Sequence, residues 1–162
     1  VIDGPAAHGM NFWLLKSEPS TFSIADLERA KDKPTGWDGV RNFEARNNLL
    51  AMRRGDRAVF YHSNASPAAV VGLAEIVRAA YADPSQFDPR APGYDASSPP
   101  EKPRWSQVDI RFLERFPAPV ALETLKEEPG LEAMALVRRG RLSVQPVTAR
   151  EWAILLRLGR GA

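Results

Sequence analysis

The sequence predicts a single α+β domain built on a mixed, mainly antiparallel β-barrel with flanking short helices. Three observations lead to this prediction. The chain has 162 residues, of which 44% are hydrophobic, and this suits one domain with one core. Segments typical of strands outnumber long helical patterns, and their connections favour antiparallel pairing. Capping boxes at residues 23–26 and 148–151 each open a short helix with an apolar stripe.

Composition excludes several classes of protein. The sequence has no cysteine, which rules out disulfides and thiolate metal sites, and no apolar run near the roughly 20 residues of a membrane helix. Its formal net charge of +2 is too small to indicate general coating of nucleic acid. We expect a cytoplasmic monomer that uses no metal or cofactor. Residues 1–9, which include His8, are interpreted as an expression-tag remnant, and residues 10–162 as the domain.

The first elements follow from apolar patterning and capping signals. Bulky apolar residues predict a buried strand over residues 12–15, and an apolar stripe predicts a helix over residues 23–31. Asn42 is placed to cap a second helix, and Gly55 to end it. The side chains of this helix that are expected to point inward are Ala45, Leu49, Leu50 and Met52.

A hairpin and a long loop are predicted in the middle of the chain. Residues 58–62 and 69–80 have strand composition and are joined by a short loop. Within the second strand, Gly72 marks a bulge or a close approach of another backbone. Residues 81–103 contain six prolines among Asp, Ser and Gly, which predicts a long surface excursion without regular structure. Loops of this kind often act as lids.

The last third of the sequence returns to regular elements. Residues 105–116 alternate between polar and apolar side chains and predict a strand, with Trp105 on its polar side. Residues 120–127 and 131–137 predict two short helices. Residues 142–147 predict a strand that leads into the final helix at the second capping box.

Residues 37–46 (WDGVRNFEAR) are the strongest candidate for a functional site. A core segment would avoid these charges, because an unpaired buried charge costs several kcal/mol, and a surface loop has no need of a tryptophan. Trp37 offers a stacking face for a planar ligand. Asp38 and Asn42 offer hydrogen-bonding groups for the ligand's edge, whereas Arg41 and Arg46 suit a phosphate.

Arginines cluster in two parts of the chain, which is compatible with local phosphate contacts. The alternative is that these side chains are solvated and have no partner. The first cluster contains Arg41, Arg46, Arg53, Arg54 and Arg57, and the second contains Arg138, Arg139 and Arg141.

Patterns that indicate catalysis are weak in this sequence. His62 and Ser63 are adjacent, and adjacent side chains of a strand point to opposite faces, which argues against a triad built from them. No glycine loop of a nucleotide-binding type occurs. Lys16 with Glu18 remains as an acid–base pair if burial shifts either pKa towards neutrality, and a surface ion pair is the alternative.

Several separated motifs, in order, resemble the EVE domain family. These are WLLKSEP (residues 13–19), WDGVRN (37–42), FYHSN (60–64), VGLAEI (71–76) and PRW (103–105). The resemblance implies a PUA-like fold, related to YTH domains, which read methylated adenine in RNA, and to ASCH domains. It also implies a reader of modified bases, especially modified cytosine in DNA, that flips the base into an aromatic pocket.

The residues and the resemblance together define a candidate site without catalytic residues. Trp37 and Trp105 are expected to form the walls of the base pocket. The full set of expected ligand-binding residues is Lys16, Ser17, Glu18, Trp37, Asp38, Gly39, Val40, Asn42, Tyr61, His62, Ser63, Asn64 and Trp105. The residues expected to contact the nucleic-acid backbone are Arg41, Arg46, Arg53 and Arg54.

Three functional hypotheses remain open from the sequence. The first is a non-enzymatic module that binds a modified base in DNA or RNA. The second is a small ASCH-like hydrolase of an acylated cytidine, with Lys16 and Glu18 as acid and base. The third is a protein-interaction module that uses the proline-rich residues 81–103 and has no affinity for nucleic acid.

Overall fold

A computed structural model describes residues 10–161 of the chain. In this range one sheet contains the strands β1 (Phe12–Ser17), β2 (Thr35–Gly36), β3 (Arg57–His62), β4 (Ala69–Ala82), β5 (Ser106–Ala121) and β6 (Val144–Val147). The α-helices are α1 (Ile24–Arg29), α2 (Phe43–Ala51), α3 (Leu122–Glu127), α4 (Ala135–Arg138) and α5 (Ala149–Arg160). The interpretation of residues 1–9 as a tag, with His8, lies outside the described residues.

The strands lie in the order β2-β5-β4-β3-β1-β6 across the sheet. Strand β1 pairs in parallel with β3, and the other neighbours pair in antiparallel fashion. The predicted α+β class with a mixed, mainly antiparallel sheet is confirmed. Within residues 10–161 the sheet does not close into a barrel, because its end strands are short and unpaired with each other. Helix α2 contacts both β5 and β6 and so lies across the opening.

The core has two parts, one on each face of the sheet. Alternation along β1 sends Trp13 and Leu15 to one face and Leu14 to the other. The first part also contains Trp37 and residues of α1 and α2, whereas the second contains residues of α3, α4 and α5. Residues 37–46, the candidate site in the sequence, begin at Trp37 and are therefore held on the first face of the sheet.

Three of the predicted helix starts are confirmed. Ser23 and Thr148 each form a capping box at the start of α1 and α5. Asn42 caps α2, because its Oδ1 accepts a hydrogen bond from the backbone N–H of Ala45 at 2.9 Å. Local polar side chains therefore set these three boundaries, which is why they can be found in the sequence.

Two predictions about the rest of α2 are wrong. Leu50 does not point inward but is 52% exposed, since it lies on the solvent side of the helix. Gly55 does not end the helix, which stops at Ala51. Gly55 instead adopts a φ of 96° in the turn before β3, a conformation that glycine takes without strain.

The hairpin of β3 and β4 is confirmed, together with the special position of Gly72. A Cβ atom at Gly72 would lie 2.4 Å from the carbonyl oxygen of Glu114 on β5. The pairing of β4 shifts register beside Gly72 with both of its neighbours. Gly72 is therefore both a close approach and part of a bulge.

Strands β4 and β5 are longer than the sequence predicts, since they pair with each other almost to their ends. Val120 lies in β5 opposite Val70 and not in the predicted helix of residues 120–127, so α3 begins only at Leu122. Long-range pairing overrides the local helical pattern at this boundary. Helix α4 begins at Ala135 and is shorter than the predicted residues 131–137.

Residues 81–103 are packed more closely than predicted. They contain a 3-10 helix, Pro84–Phe87, in which Gln86 is buried. The Gln86 amide donates to the carbonyl oxygens of Asp83 at 2.6 Å and Trp105 at 2.8 Å, and its Oε1 accepts from the Ser98 hydroxyl at 2.6 Å. The buried amide thereby ties both ends of the segment to the start of β5. The prediction that this segment has no regular structure is therefore wrong for the 3-10 helix at Pro84–Phe87.

Candidate functional site

A cleft of about 700 Å³ opens on the first face of the sheet, beside Trp37. Its walls come from the end of β1 and the turn after it, from β2, and from the loop that leads to α2. The lining residues are Lys16, Ser17, Glu18, Thr21, Phe22, Thr35, Gly36, Trp37, Asp38, Gly39, Val40, Arg41, Pro92 and Ser143. The structure thus brings together eight of the seventeen residues predicted for the site, namely Lys16, Ser17, Glu18, Trp37, Asp38, Gly39, Val40 and Arg41.

Trp37 forms the floor of this cleft. Its indole packs edge-on against Phe60 at 5.5 Å between ring centroids and against Phe22 at 6.3 Å. The residue is only 9% exposed, and its backbone N–H donates to the carbonyl oxygen of Val108 at 2.8 Å. Most of the ring is therefore held by the core, and only a small part of its surface is left for a ligand.

Asp83 fixes the loop that follows Trp37. One of its carboxylate oxygens accepts from the backbone N–H of Gly39 at 2.8 Å and from Arg41 Nη1 at 3.0 Å. The other accepts from the Ser85 hydroxyl at 2.6 Å. Burial opposes ionisation of Asp83, but the hydrogen bonds from Ser85, Gly39 and Arg41 hold its pKa below the ordinary value. The ionised carboxylate is therefore the anchor of one wall of the cleft.

Arg41 is committed to the same anchor. In addition to Asp83, its guanidinium donates to the carbonyl oxygens of Gly93 and Val40 and to the hydroxyl of Ser85, at 2.8 to 3.0 Å. These contacts occupy four of the five N–H donors of a guanidinium. The predicted role of Arg41 as a contact to nucleic-acid backbone does not fit this geometry, and the structure makes it a brace between the loop and residues 81–103.

Trp105 does not form a second wall of the cleft. Its indole is buried, its Nε1 donates to Asp95 Oδ2 at 2.8 Å, and one face stacks on Phe43 at 4.8 Å. Arg41 lies over Trp105 and Arg46 lies over Phe43, so the rings are sandwiched between two guanidinium groups. Trp105 therefore does not line the cleft together with Trp37 as expected, and it stabilises the start of α2 instead.

The FYHSN motif contributes to the surroundings of the cleft rather than to its lining. Tyr61 is buried in the second part of the core, on the opposite face from Trp37. The backbone N–H of Ser63 donates to the Ser17 carbonyl at 2.9 Å. Asn64 Nδ2 donates to Glu18 Oε2 at 2.8 Å. Ser63 and Asn64 therefore hold the turn after β1, and Tyr61 is a core residue.

His62 holds the start of helix α1. Its Nε2 accepts a hydrogen bond from the backbone N–H of Ile24 at 3.1 Å, which only the neutral ring can do. Burial, and secondly the positive charge of Arg115, lower the pKa of His62 below its ordinary value of 6.5. The ring is therefore expected to be neutral at physiological pH and to act as a cap.

This contact predicts a pH dependence of stability. The contribution of His62 is present above its unfolded pKa of 6.5 and is lost as the pH falls through the lower pKa of the folded state. Glutamine keeps an acceptor oxygen but does not titrate, so His62→Gln is the matched variant. We expect the melting temperature of the wild type to fall more than that of the variant between about pH 7.5 and about pH 5. Parallel pH profiles of the two proteins would contradict this role.

The β1 end of the cleft presents three polar side chains. Lys16 Nζ donates to the carbonyl oxygen of Gly140 at 2.5 Å, and burial lowers the pKa of Lys16. The Ser17 hydroxyl donates to the Phe22 carbonyl at 2.6 Å. Glu18 is engaged by Asn64, so each of the three side chains already has a partner within the protein.

Asp38 is the carboxylate with the most direct access to the cleft. Asp38 is exposed as a whole, but protein atoms surround part of its carboxylate, and this desolvation raises the pKa of Asp38. The negative charge of Asp83 raises that pKa further. No salt bridge to another side chain engages this carboxylate in residues 10–161, and it lines the cleft. Asp38 is therefore available to accept hydrogen bonds from a ligand.

The remaining basic candidates lie outside the cleft. Arg46 donates to the carbonyl oxygen of Arg104 at 3.0 Å and contacts Asn47. Arg53 and Arg54 are exposed after the end of α2, whose nine residues span about 13 Å. Asn42 is used as the helix cap. The structure does not bring these four residues to the cleft, and contacts of Arg46, Arg53 and Arg54 with nucleic acid stay predictions.

Sequence reasoning missed several residues that build the site. Asp83 and Ser85 anchor its loop, whereas Phe22, Thr35, Pro92 and Ser143 line it. The available signal was the dipeptide Asp83-Pro84, which is typical of a helix start and does cap the 3-10 helix. Two partners of Asp83, Gly39 and Arg41, are more than forty positions away in the sequence, so no local pattern reveals them.

Two further properties concern the described part of the chain. Between residues 10 and 161 no three side chains of His, Asp or Glu are grouped so that they could hold a metal ion. No helix in that range has the length and apolar character needed to cross a bilayer.

Comparison with known proteins identifies relatives over nearly the whole chain. Residues 11–158 match the family described as EVE domain. Mouse thymocyte nuclear protein 1 is 43% identical over 165 residues, which cover 91% of this chain and 73% of the mouse protein. The crystal structure of human THYN1 protein in complex with 5-methylcytosine containing DNA is 41% identical, with a TM-score of 0.87, and covers 92% of this chain and 97% of that one.

A more distant structure shares the fold. The YTH domain of the Zygosaccharomyces rouxii MRB1 protein, in complex with N6-methyladenosine RNA, is 18% identical, with a TM-score of 0.52, and covers 93% of this chain and 85% of that one. At this identity the likeness concerns the fold alone, and it confirms the predicted PUA-like architecture. The match over residues 11–158 and the identity to thymocyte nuclear protein 1 show that this chain belongs to the EVE domain family.

Proposed function

We propose that this protein is a reader of modified cytosine in DNA, which captures the modified base in the cleft beside Trp37. The observation that carries the proposal is the cleft itself, whose volume of about 700 Å³ lies within the range of small-ligand sites. The complex of human THYN1 protein with 5-methylcytosine containing DNA supports the choice of base and of nucleic acid, since that protein is 41% identical to this chain.

The lining of the cleft suits two features of 5-methylcytosine, the amino group that it shares with cytosine and the methyl group that distinguishes it. Cytosine presents an amino group that donates hydrogen bonds, and carboxylates accept from it. Asp38 is the carboxylate placed to do so. The 5-methyl group is apolar and fits against Trp37, Phe22 and Val40 on the floor and wall.

A paired base has to leave the duplex to reach such a cleft. Flipping costs a few kcal/mol, and contacts between the protein and the DNA backbone must offset that cost. The reader mechanism therefore combines base capture, which selects the modification, with phosphate contacts that carry no sequence information.

Binding by fluorescence anisotropy tests the proposal. The probes are a duplex DNA 12-mer with one central 5-methylcytosine, its unmodified counterpart, and the matching pair of RNA strands. We expect about 5- to 150-fold tighter binding of the methylated DNA, which corresponds to roughly 1–3 kcal/mol for one additional methyl group in an apolar pocket. Asp38→Asn, which keeps the size of the side chain, should weaken binding of the methylated DNA, because the carboxylate that accepts from the base amino group is lost. Equal affinities for the two DNA probes would overturn the proposal, and preference for the RNA pair would replace DNA by RNA as its ligand.

A hydrolase of acylated cytidine is the second candidate, because burial lowers the pKa of Lys16 at the cleft. The same structure gives Lys16 and Glu18 other partners, Gly140 and Asn64, and so favours a binding role for this end of the cleft. Incubation with N4-acetylcytidine, followed by chromatography, distinguishes the two functions. Release of cytidine by the wild type, and its loss in Lys16→Met, would support the hydrolase.

A further inference from the structure

A basic groove adjoins the cleft and is not used by the proposed base contacts. It has a volume of about 320 Å³ and is lined by Asn42 and by residues 138–142 (RRGRL). Arg41 and Ser143 line the cleft, and Asn42 and Leu142, the next residues along the two segments, line the groove. The hydrogen bond from Lys16 Nζ to the Gly140 carbonyl joins the two cavities. The groove therefore lies directly beside the place proposed for the base.

The groove carries more positive charge than the structure neutralises. Arg138 uses its Nε for the carbonyl oxygen of Glu132 at 2.8 Å, which leaves the two terminal nitrogens of its guanidinium. Arg141 is exposed and forms no ion pair with any residue in the range 10–161. Asn42 turns its Oδ1 towards α2, so its amide NH₂ group is available as a further donor. Guanidinium and amide donors of this kind suit an anion with several oxygens.

Arg139 differs from its neighbours because it is neutralised. Its two terminal nitrogens form a bidentate ion pair with the Glu44 carboxylate, at 2.6 Å each. This pair holds the loop of the groove against the first turn of α2. It also removes one positive charge from the groove, so Glu44 limits the strength with which the groove attracts an anion.

We propose that this groove binds a backbone phosphate of the DNA next to the captured base, through Arg138 and Arg141, and that Glu44 restrains its affinity by holding Arg139. In placing the phosphate beside a captured base, the inference rests on the proposed function. It assigns the backbone contacts to the second arginine cluster rather than to Arg41, four of whose five donors are occupied.

The salt dependence of DNA binding tests the groove separately from base reading. Affinity for the methylated and unmodified 12-mers is measured over a range of salt concentrations for the double variant Arg138→Gln/Arg141→Gln. We expect the slope of log K against log salt to decrease by about 1, because the contact with one phosphate is lost, with an equal loss of affinity for both probes. Glu44→Gln, which frees Arg139, is expected to strengthen binding of both probes.

Arg150→Gln is the matched control. Arg150 is exposed at the start of α5, where its guanidinium lies beside Gly130, and it does not line the groove. Its removal is expected to leave the salt slope unchanged. An unchanged slope in the double variant, with discrimination of 5-methylcytosine intact, would overturn the groove and leave base reading standing. A reduced slope in a protein that binds both probes equally would support the groove and overturn base reading. Absence of DNA binding would overturn both.

Discussion

Replacing Asp83 with alanine is expected to lower the free energy of unfolding by about 3–5 kcal/mol, the usual cost of removing one partner of a buried ion pair. The Asp83 side chain is fully buried, and that of Arg41 is 22% exposed, so the change leaves a guanidinium largely shielded from water without its partner. It also removes the acceptor of the Gly39 N–H. Urea denaturation followed by tryptophan fluorescence measures the loss.

Asp88→Ala is the control for this prediction. Asp88 lies in the same segment and pairs with Arg90, but both side chains are substantially exposed, so we expect a change of less than about 0.5 kcal/mol. A loss in Asp83→Ala as small as that in the control would show that the anchor is not important for the fold. Asp83→Asn keeps the size of the side chain and is expected to weaken selective DNA binding, because the loop that carries Asp38 loses its ionic anchor.

Removal of the Trp37 indole is the second change with a large expected effect. Trp37→Ala should lower the free energy of unfolding by about 3–5 kcal/mol, because the ring is buried against Phe22 and Phe60. Trp37→Leu retains apolar volume and is therefore the better variant for binding studies. We expect it to bind the methylated probe about 5- to 150-fold more weakly, which is the range that loss of an aromatic base contact produces.

Trp152→Leu separates lost binding from lost stability. Trp152 is also a buried tryptophan, stacked on Phe12 at 4.5 Å, but it belongs to the core on the opposite face of the sheet. Its replacement is expected to reduce stability to a similar extent without changing the preference for the methylated probe. If both variants lost that preference equally, the effect of Trp37 would be one of stability and not of contact.

The sequence predicts those parts of the fold that depend on local patterns. The caps at Ser23, Asn42 and Thr148 act over three residues, and alternation along a strand is visible wherever one face is buried. Strand limits are less predictable, because pairing with a distant strand decides them. The two ends of the sheet remain apart because α2 occupies the space that barrel closure would need.

The candidate site is predicted where its residues lie in one stretch and missed where distant segments meet. WDGVRN and the end of WLLKSEP do line one cleft. Trp105 does not line the cleft, because Asp95 accepts the hydrogen bond of its indole N–H and Phe43 stacks on its ring, where a ligand was expected to do so. Tyr61 and His62 also have partners within the protein, since Tyr61 packs in the core and His62 accepts a hydrogen bond at the N-terminus of α1. Polar or aromatic composition shows that a side chain needs a partner, but not which partner it has.

An NMR titration tests the central claim most directly, since it locates the modified base on the protein. The ¹⁵N-labelled protein is titrated in turn with the methylated and the unmodified 12-mer, and the difference between the two sets of shifts is mapped on the structure. We predict that this difference is concentrated at the cleft, in the indole N–H of Trp37 and the backbone N–H groups of Gly36 and Gly39. A difference centred on a separate cavity that is lined by Met10, Phe12 and Trp13, or no difference at all, would contradict it.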